Sequence, residues 1–174
     1  MAEKQQGTVT LEGNPVTLSG TQPQVGDEAP GFTVVDAEWN EVHLSDYAGK
    51  VILISAVPSV DTSVCSLQTQ RFNEEAGDLP DNVVVLTISQ DLPFALGRFC
   101  GAEGVDRIPV LSDHVYAEFG DCYGILIEGM RLLARSIWLV DEQSNIAYKE
   151  LVPEITDHPD YEAALEAARE VAGR

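Results

Sequence analysis

Cysteine is scarce in this chain, and basic residues are scarcer than acidic ones. Only Cys65, Cys100 and Cys122 stand among 174 residues, and no two form a Cys-x-x-Cys pair. That odd, scattered set argues against a structural disulfide framework and against common zinc spacings. His43, His114 and His158 are equally dispersed and read as surface or packing residues. Lys plus Arg total 10 against 29 Asp plus Glu, a formal charge of -19 that repels phosphate backbones and anionic headgroups. Nucleic acid and membrane surfaces are therefore not expected as partners. The charge serves solubility or fits a salt-rich cytoplasm, and composition does not separate the two. No run approaches the ~20 apolar residues of a membrane span, and Met1 to Gln6 lack the apolar core of a secretory signal. The expected location is cytoplasmic. Without a linker or an internal repeat, residues 1–174 are expected to form a single domain, large enough to bury roughly 70% of its unfolded surface.

What is present is alternation of strand and helix patterns. Thr8 to Leu11 and Val16 to Leu18 alternate around Gly13-Asn14, which predicts an N-terminal hairpin within residues 1–19. Phe32 to Val35 and Glu41 to Leu44 read as short strands about a turn at Trp39-Asn40, with Ser45 as cap of a helical turn ending at Gly49. Val51 to Val57 and Asn82 to Ser89 are apolar, β-branched runs of the kind buried on both faces. Asp91 is placed to cap a helix with Pro93 in its first turn, and that helix carries Cys100. Further on, Ile108 to Leu111 reads as a strand, Val115 to Phe119 as a short helix, and Arg135 to Asp141 as a strand turning at Gln143-Ser144-Asn145 into Ile146 to Val152. Pro159 to Val171 closes as an amphipathic helix. Strands alternating with helices predict an α/β fold.

Cys65 falls at the junction of the first apolar strand and the helix formers of Ser66 to Asp78. Unpaired N–H groups and the positive dipole end of a helix favour a thiolate there, so Cys65 reads as a nucleophile rather than as a small buried hydrophobe. Thiolate population alone gains little, because nucleophilicity falls as a thiol becomes more acidic. Alignment of the substrate and stabilisation of a departing oxygen must supply most of the chemistry.

The stretch Pro58-Ser59-Val60-Asp61-Thr62-Ser63-Val64-Cys65 resembles the peroxidatic motif of the peroxiredoxins, and more narrowly that of the thiol peroxidases, the atypical two-cysteine branch. Gly13-Asn14-Pro15-Val16, Gln90 to Ala95, Arg98 to Gly104, Leu133-Ala134-Arg135, Leu151 to Thr156 and Pro159 to Leu165 resemble that branch as well, so the likeness spans almost the whole chain. It implies a single thioredoxin-like peroxiredoxin domain with a central mixed β-sheet flanked by helices. It also implies a peroxidatic Cys65, a resolving Cys100 that closes an intrachain disulfide, and Arg135 as the cation beside the thiolate. Thr62 would donate to the thiolate or position the peroxide, cap the helix, or do both; Pro58 would shield the pocket. Hydrogen peroxide and alkyl hydroperoxides are the implied substrates, thioredoxin the reductant and a homodimer the assembly, with no metal, haem or flavin. Arg71, Arg98 and Arg131 read as surface charges, Cys122 as structural, and Trp39 and Trp138 as packing residues. Met130 and Leu132-Leu133 are candidates for the rim of an apolar pocket or for a dimer face. Glu154-Ile155-Thr156 and Pro159-Asp160-Tyr161-Glu162 are candidates for a functional loop, but a helix start with acidic residues near its N-terminus explains them. A general thiol–disulfide oxidoreductase would normally carry the missing Cys-x-x-Cys, and a redox sensor would oxidise once without turning over.

Overall fold

A computed structural model describes residues 4–174, with side chains from residue 7 onward. Residues 1–3, part of the stretch read above for a secretory signal and of the expected domain, lie outside the described residues. The hairpin pairs β1 (Lys4–Leu11) with β2 (Asn14–Ser19) antiparallel, as the alternation predicts. Glu12 and Gly13 make its turn with φ of 50° and 82°, the left-handed region that favours glycine. Next come β3 (Thr33–Val35) and β4 (Glu41–His43), a 3-10 turn over Leu44–Tyr47, and β5 (Val51–Ala56). The helix α1 (Ser63–Glu75) leads through a second 3-10 turn to β6 (Val83–Ser89), α2 (Pro93–Glu103) and β7 (Val110–Ser112). The chain ends with α3 (Glu118–Cys122), β8 (Leu126–Ile127), β9 (Leu132–Leu133), β10 (Ser136–Val140), β11 (Ile146–Leu151) and α4 (Tyr161–Ala172).

Seven strands form one mixed sheet in the order β11-β10-β5-β6-β7-β3-β4, and β1-β2-β8-β9 form a second, antiparallel one. The pairs β5–β6 and β6–β7 are parallel, and the flanking pairs are antiparallel. Because strand side chains alternate, β5 divides its residues between two layers. Val51 and Leu53 face a layer with Phe72 of α1, Leu96 and Phe99 of α2 and Leu165 of α4. Ile52, Ile54 and Ala56 face the other, with Phe119 of α3 and Leu18 and Ile127 of the smaller sheet. Both faces of β5 are thus closed, which is why its sequence is apolar throughout. In α4, buried Ala164, Leu165, Ala168 and Val171 recur at helical spacing and dock it on the sheet.

Several local expectations are corrected. Ser45 lies inside the 3-10 turn; its start is fixed instead by His43 N–H donating to the Asp46 carboxylate at 2.8 Å. Leu92 occupies the cap position of α2 and makes no side-chain cap bond, so Asp91 is not its cap, whereas Pro93 does open the helix. The short helix starts at Glu118 rather than Val115, because the buried Asp113 carboxylate accepts from Phe119 and Gly120 N–H at 3.0 and 2.9 Å and fixes the start there. The strand near residue 108 begins only at Val110, and two-residue strands β8 and β9 were too short to leave a pattern. No helix among the described residues is long and apolar enough to cross a membrane.

Candidate active site

Antiparallel pairing matches Ser136 with Ala56, so the start of β10 lies beside the end of β5, where the chain turns into α1. Ile137 and Leu139 face the α1 layer. Arg135, two residues before Ile137, points the same way and runs its guanidinium beneath the first turn of α1. Its Nη2 donates to Cys65 Sγ at 3.3 Å, its Nη1 to Gln68 Oε1 at 2.9 Å and its Nε to the Ile155 carbonyl at 2.9 Å. Arg135 is 2% exposed and Cys65 fully buried. A charge so deeply buried is costly unless it is hydrogen-bonded, and these acceptors engage each of its three nitrogens once; a thiolate at Cys65 would add the countercharge. Gln68 in turn donates from Nε2 to Ser55 Oγ at 2.7 Å, which orients the amide for Arg135.

Thr62 is the N-cap of α1: its Oγ1 accepts from Cys65 N–H at 3.3 Å, and its carbonyl from Ser66 N–H at 3.0 Å. The capping reading therefore holds, and the hydroxyl keeps its own proton to donate. Thr62, Pro58 and Arg135 line a cavity of 390 Å³ whose remaining walls are largely apolar, from Val64, Leu11, Ile127, Leu132 and Ile155, with Ser63, Glu12 and Thr156 also present. Cys65 lies behind this lining and is joined to it by Arg135. Of the rim candidates only Leu132 takes part; Leu133 is core and Met130 is 49% exposed at the surface.

Cys100 sits three residues from the end of α2, half-buried against the same apolar layer that holds Cys65. Burial pushes its thiol above the ordinary range. All three cysteines are free. Cys122 is exposed at the end of α3; partial burial of its thiol, then the Glu118, Asp121 and Asp113 carboxylates, push its thiol up. Trp138 is buried, as expected of a packing residue, but Trp39 is 45% exposed and meets Phe94 edge-on at the surface. The geometry thus gathers Pro58, Thr62, Cys65 and Arg135, and leaves Cys100 on the neighbouring helix.

Gln68, Ser55 and the hairpin's Leu11 were not anticipated. Gln68 carried a usable signal, since three residues after Cys65 it shares that helix face. Glu154 was misread: α4 is capped by Asp160, whose carboxylate accepts from Ala163 N–H at 3.1 Å. The Glu154 carboxylate instead accepts from Thr10 Oγ1 and Gly13 N–H at 2.8 Å, from Glu12 N–H at 3.1 Å, and from Thr156 N–H and Oγ1 at 2.9 and 2.8 Å. Those bonds, led by those from Thr156 and Gly13 N–H, hold its carboxyl down at about 2 and clasp the hairpin turn to the segment that presents Ile155 to Arg135.

A buried thiol against a guanidinium at a strand-to-helix junction, on a mixed sheet with helices over it, defines a thiol-based redox protein of thioredoxin-like fold. Residues 24–165 match the Redoxin family. A thiol peroxidase of Listeria innocua is 58% identical over 161 residues, 92% of this chain and 97% of that protein. Among solved structures, a peroxiredoxin-like protein from Aquifex aeolicus superposes with a TM-score of 0.89 at 40% identity, over 95% of this chain and 97% of that one. A thiol peroxidase from Chromobacterium violaceum gives 0.82 at 25% identity, over 93% and 95%. The chain belongs to the redoxin family, within its thiol peroxidases, and is a peroxidase.

Proposed function

We propose that this peroxidase reduces hydrogen peroxide and alkyl hydroperoxides through Cys65 and Cys100 and is recycled by thioredoxin. The observation that carries the reading is the 3.3 Å contact to the Cys65 sulfur from Arg135, which itself lines a largely apolar cavity. Arg135 stabilises the thiolate and then the oxygen that departs, while Thr62 orients the peroxide and Pro58, lacking an N–H, keeps donors other than these from the sulfur. The thiolate attacks one peroxide oxygen, the O–O bond breaks, and Cys65 becomes a sulfenic acid. The released alkoxide or hydroxide takes a proton and leaves as alcohol or water. Cys100 then attacks the sulfenic sulfur, forming an intrachain disulfide and releasing the sulfenic oxygen as water. Two thiols of thioredoxin reduce that disulfide and become oxidised themselves. The apolar walls supplied by Leu11, Ile127, Leu132 and Ile155 suit an alkyl chain better than water. We further place residues 1–174 in one domain, working as a cytoplasmic homodimer.

Cys65→Ser is expected to abolish peroxide consumption with the fold intact, because serine offers almost no anion at neutral pH. Cys100→Ser is expected to oxidise once, give a trappable sulfenic acid and cease cycling. Consumption coupled to thioredoxin and its reductase, followed for both variants, tests the reading. Normal cycling by Cys100→Ser together with failure of Cys122→Ser would move the resolving role to Cys122.

A further inference from the structure

We infer that Asp91 is a positioning residue for the peroxide step, a fixed latch that pins the loop between β5 and α1 and so holds Pro58 and Thr62 in place around Cys65. The inference rests on the reading of Cys65 and Cys100 as attacking and resolving thiols.

Although Asp91 stands two residues before α2, its carboxylate turns away from that helix. One oxygen accepts from Ser59 Oγ at 2.7 Å; the other accepts from Val60 N–H at 2.9 Å and from Ser89 Oγ at 2.7 Å. Its backbone carbonyl accepts from Ser112 Oγ at 2.6 Å. Ser89 and Ser112 are buried at the ends of the adjacent parallel strands β6 and β7, so Asp91 is tied to the rigid sheet on one side. On the other side it grips the loop between Pro58 and Thr62. Thr62 N–H donates to the Ser59 carbonyl at 3.1 Å, and Thr62 Oγ1 accepts from Cys65 N–H, so the grip passes directly to the first turn of α1. Bonds to a carboxylate are the stronger kind, and this one gathers three donors, two from the loop after β5 and one from the end of β6.

A 450 Å³ groove separates exposed Asp61, Thr62 and Ser63 from Arg98 and Ala102 of α2. It is open space into which residues 61–66 can swing when Cys65 is carried toward Cys100, while Val60 stays anchored. The latch therefore serves the two steps unequally. Peroxide attack needs the loop held, and a misplacement of ~1 Å can cost up to ~100-fold. Disulfide formation needs the first turn released and gains nothing from the grip.

The test measures both rate constants by rapid mixing: oxidation of Cys65 by peroxide, then disulfide formation, in wild type, Asp91→Ala, Asp91→Asn and Ser59→Ala. Mass spectrometry of the wild type first shows whether the bond joins Cys65 and Cys100; if it does not, the underlying reading fails independently of Asp91. Asp91→Ala is expected to slow oxidation by about 10- to 100-fold and to leave disulfide formation as fast as in wild type or faster. Asp91→Asn is expected to stay within about threefold of wild type in both steps, since its oxygen can accept from Val60 and Ser89 while its amide donates to Ser59 Oγ. An unchanged oxidation rate in Asp91→Ala, slowing of both steps by one factor, or an Asn variant as impaired as the Ala variant would each overturn the inference. Should Asp91→Ala not fold, Ser59→Ala removes one bond to the carboxylate, together with the 3.2 Å bond that Ser59 Oγ accepts from Asp61 N–H, and must still lower the ratio of the two rate constants; an unchanged ratio is equally fatal.

Discussion

The first turn of α1 and the last turn of α2 each carry a cysteine, yet they are built on opposite plans. Cys65 is fully buried, its backbone capped by Thr62 and its sulfur held by a guanidinium that is itself anchored by Gln68 and Ile155. Cys100 is half-buried, and burial alone perturbs its thiol. Three residues separate it from the end of its helix, where Gly104 takes the left-handed conformation (φ 67°) and donates to the Cys100 carbonyl. A thiol that must meet a small oxidant in a defined geometry gains from rigid surroundings. One that must travel to a partner sulfur gains from an end that frays at little cost. A disulfide requires Cα atoms within about 7 Å, so movement falls on whichever segment yields more readily.

The comparison is broken most severely by making the first site as plain as the second. Arg135→Met keeps the bulk of the side chain but removes the charge. It is expected to slow oxidation of Cys65 by about 100- to 1000-fold, the usual loss for one donor to a developing oxyanion. Stopped-flow oxidation and alkylation at neutral pH both report it. If neither rate changes, another arginine holds the role.

A smaller change sharpens the contrast from the other side. A Cβ at Gly101 would meet nothing within 4 Å, so Gly101→Ala is accommodated and favours the helix by about 0.5–1 kcal/mol. If α2 frays for Cys100 to react, disulfide formation slows by about two- to fivefold, the factor that energy represents, while oxidation of Cys65 is untouched. Equal rates in variant and wild type would assign the motion to α1 alone. The raised Cys100 thiol adds a pH signature: disulfide formation accelerates as pH rises toward the alkaline range, because the attacking form is the thiolate.

The smallest expected effect concerns the wall of the Cys65 site. The Glu154 carboxyl is held at about 2, below its ordinary 4.5, by bonds it accepts only in the folded chain. A depressed acid stabilises the fold above its unfolded value and loses that contribution as pH falls from 4.5 toward 2. Urea midpoints measured from pH 5 to pH 2.5 are therefore expected to fall more in wild type than in Glu154→Gln. Asp113, pushed up to about 6 by burial, contributes with the opposite sign, being most favourable below its ordinary value and losing its contribution as pH rises through 6. It is common to both proteins and cancels in the difference. Parallel pH profiles would mean that Glu154 does not clasp the hairpin.

Local chemistry was enough to write much of this molecule into its sequence. Apolar runs such as Val51 to Ala56 specify strands closed on both faces, Gly13 specifies a hairpin turn, Pro93 opens a helix, and a cysteine after Thr62 sits where unpaired N–H groups converge. Each of those signals acts over a few residues and survives without knowledge of the rest. The tertiary structure alone decided which distant groups met. Arg135 reaches Cys65 only because the register of β10 against β5 sets it there, and residues alone had not ranked it above Arg71, Arg98 or Arg131. Asp91 reads as a helix cap and Glu154 as part of an acidic helix start, and both instead bind loops far along the chain, because a carboxylate goes to whichever N–H and O–H groups are left unpaired nearby. Spacing along the chain carries helix and strand. Where a buried charge finds its partners depends on how those elements pack.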